Sequence, residues 1–188
     1  MAALSAWQQL TRVLPGMPFG SGADGAYSSA TIPTLTKDSC SGSASSTTLT
    51  TTSATFANGD VILIHQTRGT GAGQWEINRV SSGGGTTTLT LQTALQYTYT
   101  DSGASQAQAV KIPQYTTATV LTGTWTGTAW DGNVSGILPI ASNVSMTVTG
   151  TVSFTGKGLR GGASAAAGVA GNQGESGTGA GSASTSAN

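Results

Sequence analysis

With 188 residues the chain is long enough to bury a real core, yet only 7% of it is charged, against about 25% in ordinary soluble domains. Lys plus Arg number 7 and Asp plus Glu number 7, so the net charge is zero and no basic footprint for nucleic acid exists. No run approaches the roughly 18 consecutive apolar residues of a membrane-spanning helix, so no membrane span is expected.

Solubility must therefore come from Ser, Thr, Asn and Gln. The 28 Gly are roughly twice the usual share. Abundant Thr beside alternating apolar residues is a β signature, because branched side chains fit a pleated surface. Neutral chains of this kind are typical of extracellular fibres and virion appendages.

Residues 1–18 carry Leu4, Trp7, Leu10 and Leu14 at helical spacing, and Pro15-Gly16-Met17-Pro18 ends the pattern. The segment is expected either to dock on a neighbouring subunit or to serve as a flexible leader. Met1 to Leu14 lacks the charged start and apolar core of a signal peptide, so export by the general secretory route is not expected.

Gly20 to Tyr27 reads as a loop, residues 30–38 as a strand, and 43–55 as a polar strand or extended connector. Phe56-Ala57-Asn58-Gly59-Asp60 is a turn, since Asn-Gly readily takes positive φ. Val61-Ile62-Leu63-Ile64 follows, too short for a helix and best read as a strand buried on both faces. Trp75, Ile77 and Val80 lead a returning strand, Gly83-Gly84-Gly85 turns, and Leu89 and Leu91 alternate with Thr. Ala107 to Ile112 extends to Pro113.

Beyond Thr116 the strands shorten, punctuated by Val120, Trp125, Trp130, Ile137 and Ile140. Asn143 to Thr155 alternates with period two through Val144, Met146, Val148, Val152 and Phe154. The alternation breaks at Gly150-Thr151, where one strand bends into the next. Residues 161–188 dissolve into Gly, Ala and Ser, with Gly168, Gly171, Gly174 and Gly177 three apart but without the Pro that collagen needs.

The layout predicted is all-β: an N-terminal anchoring segment over 1–19 and a small barrel- or sandwich-like β-domain over 20–113, clearest from residue 50. A β-solenoid-like segment over 114–160 and a glycine-rich C-terminal tail over 161–188 complete it. Stacked strands cannot bury their apolar rows alone and need successive coils or identical neighbours. A homo-oligomer follows, with a trimer the usual solution for fibres.

Chemical motifs are sparse. The acids are scattered, mostly beside Gly in turn contexts, and nothing points to the paired carboxylates of a glycosidase. His65 is the only histidine; no nucleophile motif accompanies it, and a structural, hydrogen-bonded role is expected. Cys40 is the only cysteine, so no intrachain disulfide forms, and with so few ligands no zinc site is expected. Gly156-Lys157-Gly158-Leu159 lacks the hydroxyl of a phosphate loop and reads as a tight corner. No cofactor is expected, and neither is an enzyme. Four aromatics remain of interest: Tyr97, Tyr99, Trp125 and Trp130. Core packing is the reading their chemistry favours; exposed rings would instead serve assembly or stack on a host-surface glycan.

Four stretches together carry a resemblance: Phe56-Ala57-Asn58-Gly59-Asp60-Val61-Ile62-Leu63-Ile64-His65-Gln66, Val110-Lys111-Ile112-Pro113-Gln114-Tyr115, Trp130-Asp131-Gly132, and Gly156-Lys157-Gly158-Leu159-Arg160-Gly161-Gly162. In this order, over roughly residues 20–165, the chain resembles glycine-rich tail-fibre and surface-adhesin proteins of bacteriophages and some bacterial envelopes. The resemblance implies a β-solenoid leading into a glycine-rich region, and a structural or attachment role with no catalytic residue. The expectation is a virion protein of a phage tail: a fibre, tail-tip or baseplate-associated component. It would touch other tail proteins through its N-terminal segment, copies of itself, and a host glycan. A bacterial surface filament or adhesin subunit at the cell surface is the alternative, and a polysaccharide-degrading β-helix enzyme comes third.

Overall fold

A computed structural model describes residues 20–161 and Glu175. The expected helical turn in 1–18 and nearly all of the glycine-rich tail lie outside the described residues. Among the described residues there are strands and no helix. In chain order these are β1 (Tyr27–Ser29), β2 (Lys37–Ser41), β3 (Thr48–Thr51), β4 (Val61–Arg68), β5 (Trp75–Ser82) and β6 (Thr88–Leu91). They continue with β7 (Gln106–Lys111), β8 (Gln114–Val120), β9 (Thr124–Trp125), β10 (Ala141–Val148) and β11 (Thr151–Val152).

Six of these strands close an antiparallel barrel in the order β2-β3-β6-β5-β4-β7, with β7 returning to β2. Closure removes the unpaired edges that a sheet of short Thr-rich strands would otherwise expose. Alternation decides what fills it. Ile62 and Ile64 of β4 point inward with Val80, Leu89, Leu91 and Leu49, while Val61, Leu63 and His65 face out. Outward residues of β4 are nonetheless covered, so the strand is buried on both faces as its apolar run required. A barrel wall buried on its outside needs a second layer, and residues 114–148 supply it.

Turn chemistry fixes one rim of the barrel. Gly59 takes φ of 90°, a conformation nearly free only for Gly, and Asp60 Oδ2 accepts from Ala57 N at 2.8 Å. The second hairpin leans on this turn: Gly84 N donates to Asn58 Oδ1 at 2.7 Å. A Cβ on Gly84 would run into the Asn58 backbone nitrogen, so only glycine permits the approach.

The other end is plugged by residues 92–105, which form no regular strand yet cross the barrel mouth. Polar side chains pointing inward hold them there. Gln66 Nε2 lies 2.8, 3.0 and 3.0 Å from the carbonyls of Arg68, Thr100 and Gln106, and its Oε1 accepts from Thr100 N at 2.8 Å. Asn78 bonds the Thr93 backbone, and both carboxylate oxygens of Glu76 accept from Gln96 N. Cys40 is packed into the same interior, where burial foremost, with Asp101 and Asp38 nearby, raises its thiol pKa and keeps it protonated.

The remaining strands run parallel. β8 lies between β1 and β10, and β9 pairs with β11. Residues align in columns: Tyr27 with Ala118 with Met146, and Ser29 with Val120 with Val148. The offset between successive rungs is 28 residues at Ala118 and Met146, and 27 at Thr124 and Thr151. It persists past the strands, because Trp130 N donates to Lys157 O at 3.0 Å. Corners stack on corners as well: a Cβ on Gly127 would strike the Phe154 ring, and one on Gly150 would strike the Leu121 carbonyl. β1 precedes the barrel in sequence but pairs with β8 after it, so the whole barrel is inserted between two rungs of the parallel stack.

Candidate functional site

Where the stack lies against the barrel, a groove of about 650 Å³ remains open, within the range of small-ligand and peptide-anchor pockets. One wall is the outward face of β4 and β5, with Leu63, His65, Trp75 and Ile77. The facing wall is Ile137, Pro139, Ile140 and Met146. Apart from Met146 of β10, this second wall is built from residues 126–140, which contain no strand, and it stands because Gln108 of β7 pins it. The fully buried Gln108 amide accepts from Ser135 N at 2.7 Å and donates to Ser135 O at 3.1 Å.

At the mouth, Gln114 donates to Ile112 O at 2.9 Å and accepts from Ser21 N at 3.2 Å. Gly20 is wedged beside it, where an added Cβ would sit 2.9 Å from Gln114 Oε1 and 3.0 Å from Ala141 Cβ.

The described lining holds no carboxylate, amine or thiol. His65, 8% exposed, is its one titratable group of consequence, and burial lowers its pKa to about 4. The imidazole is therefore neutral at pH 7. Ser142 Oγ sits 2.9 Å from Thr116 O and 2.7 Å from Ser145 O, engaged with backbone. Such a groove can bind an apolar surface; its described residues do not compose a nucleophile with a base and an orienting acid. Among the described residues no cluster of three His, Cys, Asp or Glu could hold a metal ion, and no helix is long and apolar enough to cross a membrane.

A second surface lies at the open end of the stack. Among the described residues β10 pairs with β8 alone, and its apolar residues are exposed: Val144 72%, Met146 50% and Val148 52%, with Val152 of β11 at 43%. These are the residues whose alternation marks the strand; Met146 also borders the groove, and the row stays exposed along Val144, Val148 and Val152.

The four aromatics singled out from sequence do not converge on one surface. Trp125 is fully buried, its Nε1 donating to Ser29 O at 2.9 Å. It meets Tyr27 edge-on at 5.7 Å, and Tyr27 stacks on Tyr115 at 5.1 Å. Tyr99 is buried at the barrel mouth, with the half-buried Tyr97 edge-on at 6.5 Å. Burial foremost, then the charge and hydrogen bond of Glu76, raises the Tyr99 pKa and keeps it a neutral phenol.

Trp130 is half-buried at the far end of the stack, near Arg160 and Glu175. There the Glu175 carboxylate accepts from Arg160 N at 2.7 Å and from its guanidinium at 3.0 Å. Burial alone would raise the Glu175 pKa; the Arg160 backbone and side chain outweigh it and hold it below the usual carboxylate value. Trp125 and Tyr99 thus offer no face to a glycan in this chain. Neither the groove nor the open end was picked out as a site by motif reading. The signals that could have found them are a β4 apolar on both faces and a β10 row with no partner row following it. No family model matches the chain, and comparison with curated proteins gives no match.

Proposed function

We propose that this chain is a structural subunit of a phage tail, a fibre, tail-tip or baseplate-associated component that contributes to host attachment as a homo-oligomer. The observation that carries the reading is the open end of the parallel stack. Among the described residues its rungs repeat at 27 to 28 residues, and the last of them, β10, pairs on one side only with its apolar row exposed. Unpaired strand edges and apolar rows of this kind are templates for adding another chain. The parallel stack is read as the start of a β-solenoid, with the barrel as a lateral insertion that stiffens it. A trimer brings three such open ends together. The near absence of charge suits surfaces that pack against copies of themselves, and the groove, without a described carboxylate pair, gives the polysaccharide-degrading reading no support.

Immunogold labelling separates the tail reading from a cell-surface filament. With antibody raised against the full chain, gold is expected on the tails of particles released from the encoding strain. Gold confined to the envelope of intact cells would contradict a tail location and favour the filament or adhesin.

A further inference from the structure

The apolar groove lies where the described chain begins. Gly20 forms part of the groove's lining, and Ser21 N is anchored at the mouth on Gln114 Oε1. The described chain therefore starts at the groove itself. Residues 1–19 contain a single charge, Arg12, and place Leu4, Trp7, Leu10 and Leu14 at spacings of a helical stripe. That stripe and the described lining are both uncharged, so neither apolar surface carries an ion that docking would strand.

We infer that residues 1–19 of the same chain fold back into this groove, setting the Leu4, Trp7, Leu10 and Leu14 stripe against the outer wall of β4 and β5. Tethering through Gly20 favours this occupant over any other, because a short link raises the local concentration of the segment to the millimolar range. The groove holds several large side chains rather than the whole segment, as expected when a few apolar anchors enter and the polar residues Gln8, Gln9 and Arg12 remain outside. The docking gives the second layer of the barrel a third element. It does not rest on the open end of the stack, which its failure would leave as it is, and it takes the place of the contact to other tail proteins expected of this segment.

The test uses the full chain, isotope-labelled for nuclear magnetic resonance. Contacts from the Trp7 indole to the methyls of Ile77 and Ile140 are expected. They should persist when the labelled chain is diluted tenfold into deuterated, unlabelled chain. A second readout is His65, which lines the groove and is the only histidine present. In the variant Leu10→Asp with Leu14→Asp, its titration midpoint should rise by about two pH units, toward the value of a solvated imidazole, while the barrel methyls keep their shifts. Contacts that vanish on dilution would show a second copy's segment in the groove and overturn the inference. So would an absence of Trp7 contacts with a co-purified apolar molecule in place, or an unmoved His65 midpoint in the variant.

Discussion

Trp125→Ala is expected to destabilise the folded chain by about 3–5 kcal/mol, the cost of emptying a fully buried aromatic site. The residue is the joint of the parallel stack. It sits in β9, bonds the carbonyl of Ser29 in β1, and packs on Tyr27, which in turn stacks on Tyr115 of β8. Three strands from two rungs, β1, β8 and β9, thus meet around one side chain. Truncation leaves the Ser29 carbonyl without its indole donor and the Tyr27 ring without its edge partner. Trp125→Phe keeps most of the volume and loses the N–H; Ser29 O keeps its bond from Leu121 N at 3.0 Å, so the change should cost about 0.5–1.5 kcal/mol, the net worth of one hydrogen bond. Urea unfolding followed by circular dichroism checks both. A Trp125→Ala midpoint equal to wild type would mean that the ring is not the joint described.

A second expected result is acid sensitivity from a single residue. The folded-state pKa of His65 is lowered to about 4 by burial, while the unfolded value is about 6.5. Between these values the unfolded chain binds a proton that the folded chain refuses, so stability rises with pH through this window. The contribution is fully present above about pH 6.5 and is lost as pH falls toward 4, by about 2–3 kcal/mol. No carboxylate or amine in the described groove lining competes with this effect. Unfolding free energies from pH 7 to pH 4 should fall in wild type and fall less in His65→Phe by about that amount. Parallel curves for the two proteins would show that His65 does not titrate as a buried neutral imidazole.

Much of the fold was legible because strand alternation and turn chemistry are local. Val61 to Ile64, the Asn58-Gly59 turn and the Leu89/Leu91 alternation all appear where the chain pattern put them, and the barrel closes around them. The bend at Gly150 falls between β10 and β11 as the break in period predicted. Residues 30–38 were read as one strand, but only Lys37 and Asp38 belong to β2, and β1 ends at Ser29.

The pairing of β1 with β8 was not legible. Their Cα partners, Tyr27 and Ala118, are separated by the entire barrel, and no local pattern encodes a contact across an insertion. The polar plug was hidden for a related reason. Gln66, Glu76 and Asn78 look like surface residues by type, and only the backbone groups of Thr93, Gln96 and Thr100 that they satisfy explain why they are buried. The groove arises between two units, so its walls come from residues 61–77 and 137–146, each apolar for a reason readable only after they meet.

The central claim is that the parallel stack is built to be completed by further copies through β10. The most direct measurement is the native mass of the full chain by light scattering, beside that of the variant Val144→Glu with Val148→Glu. Both side chains are exposed at the open end, so the single folded chain should tolerate the change while a chain added over them would bury two carboxylates. The account predicts a stable oligomer, a trimer for a fibre, that falls to monomer in the variant with its β spectrum intact. A wild-type chain that stays monomeric at every concentration, or a variant that assembles as well as wild type, would contradict it.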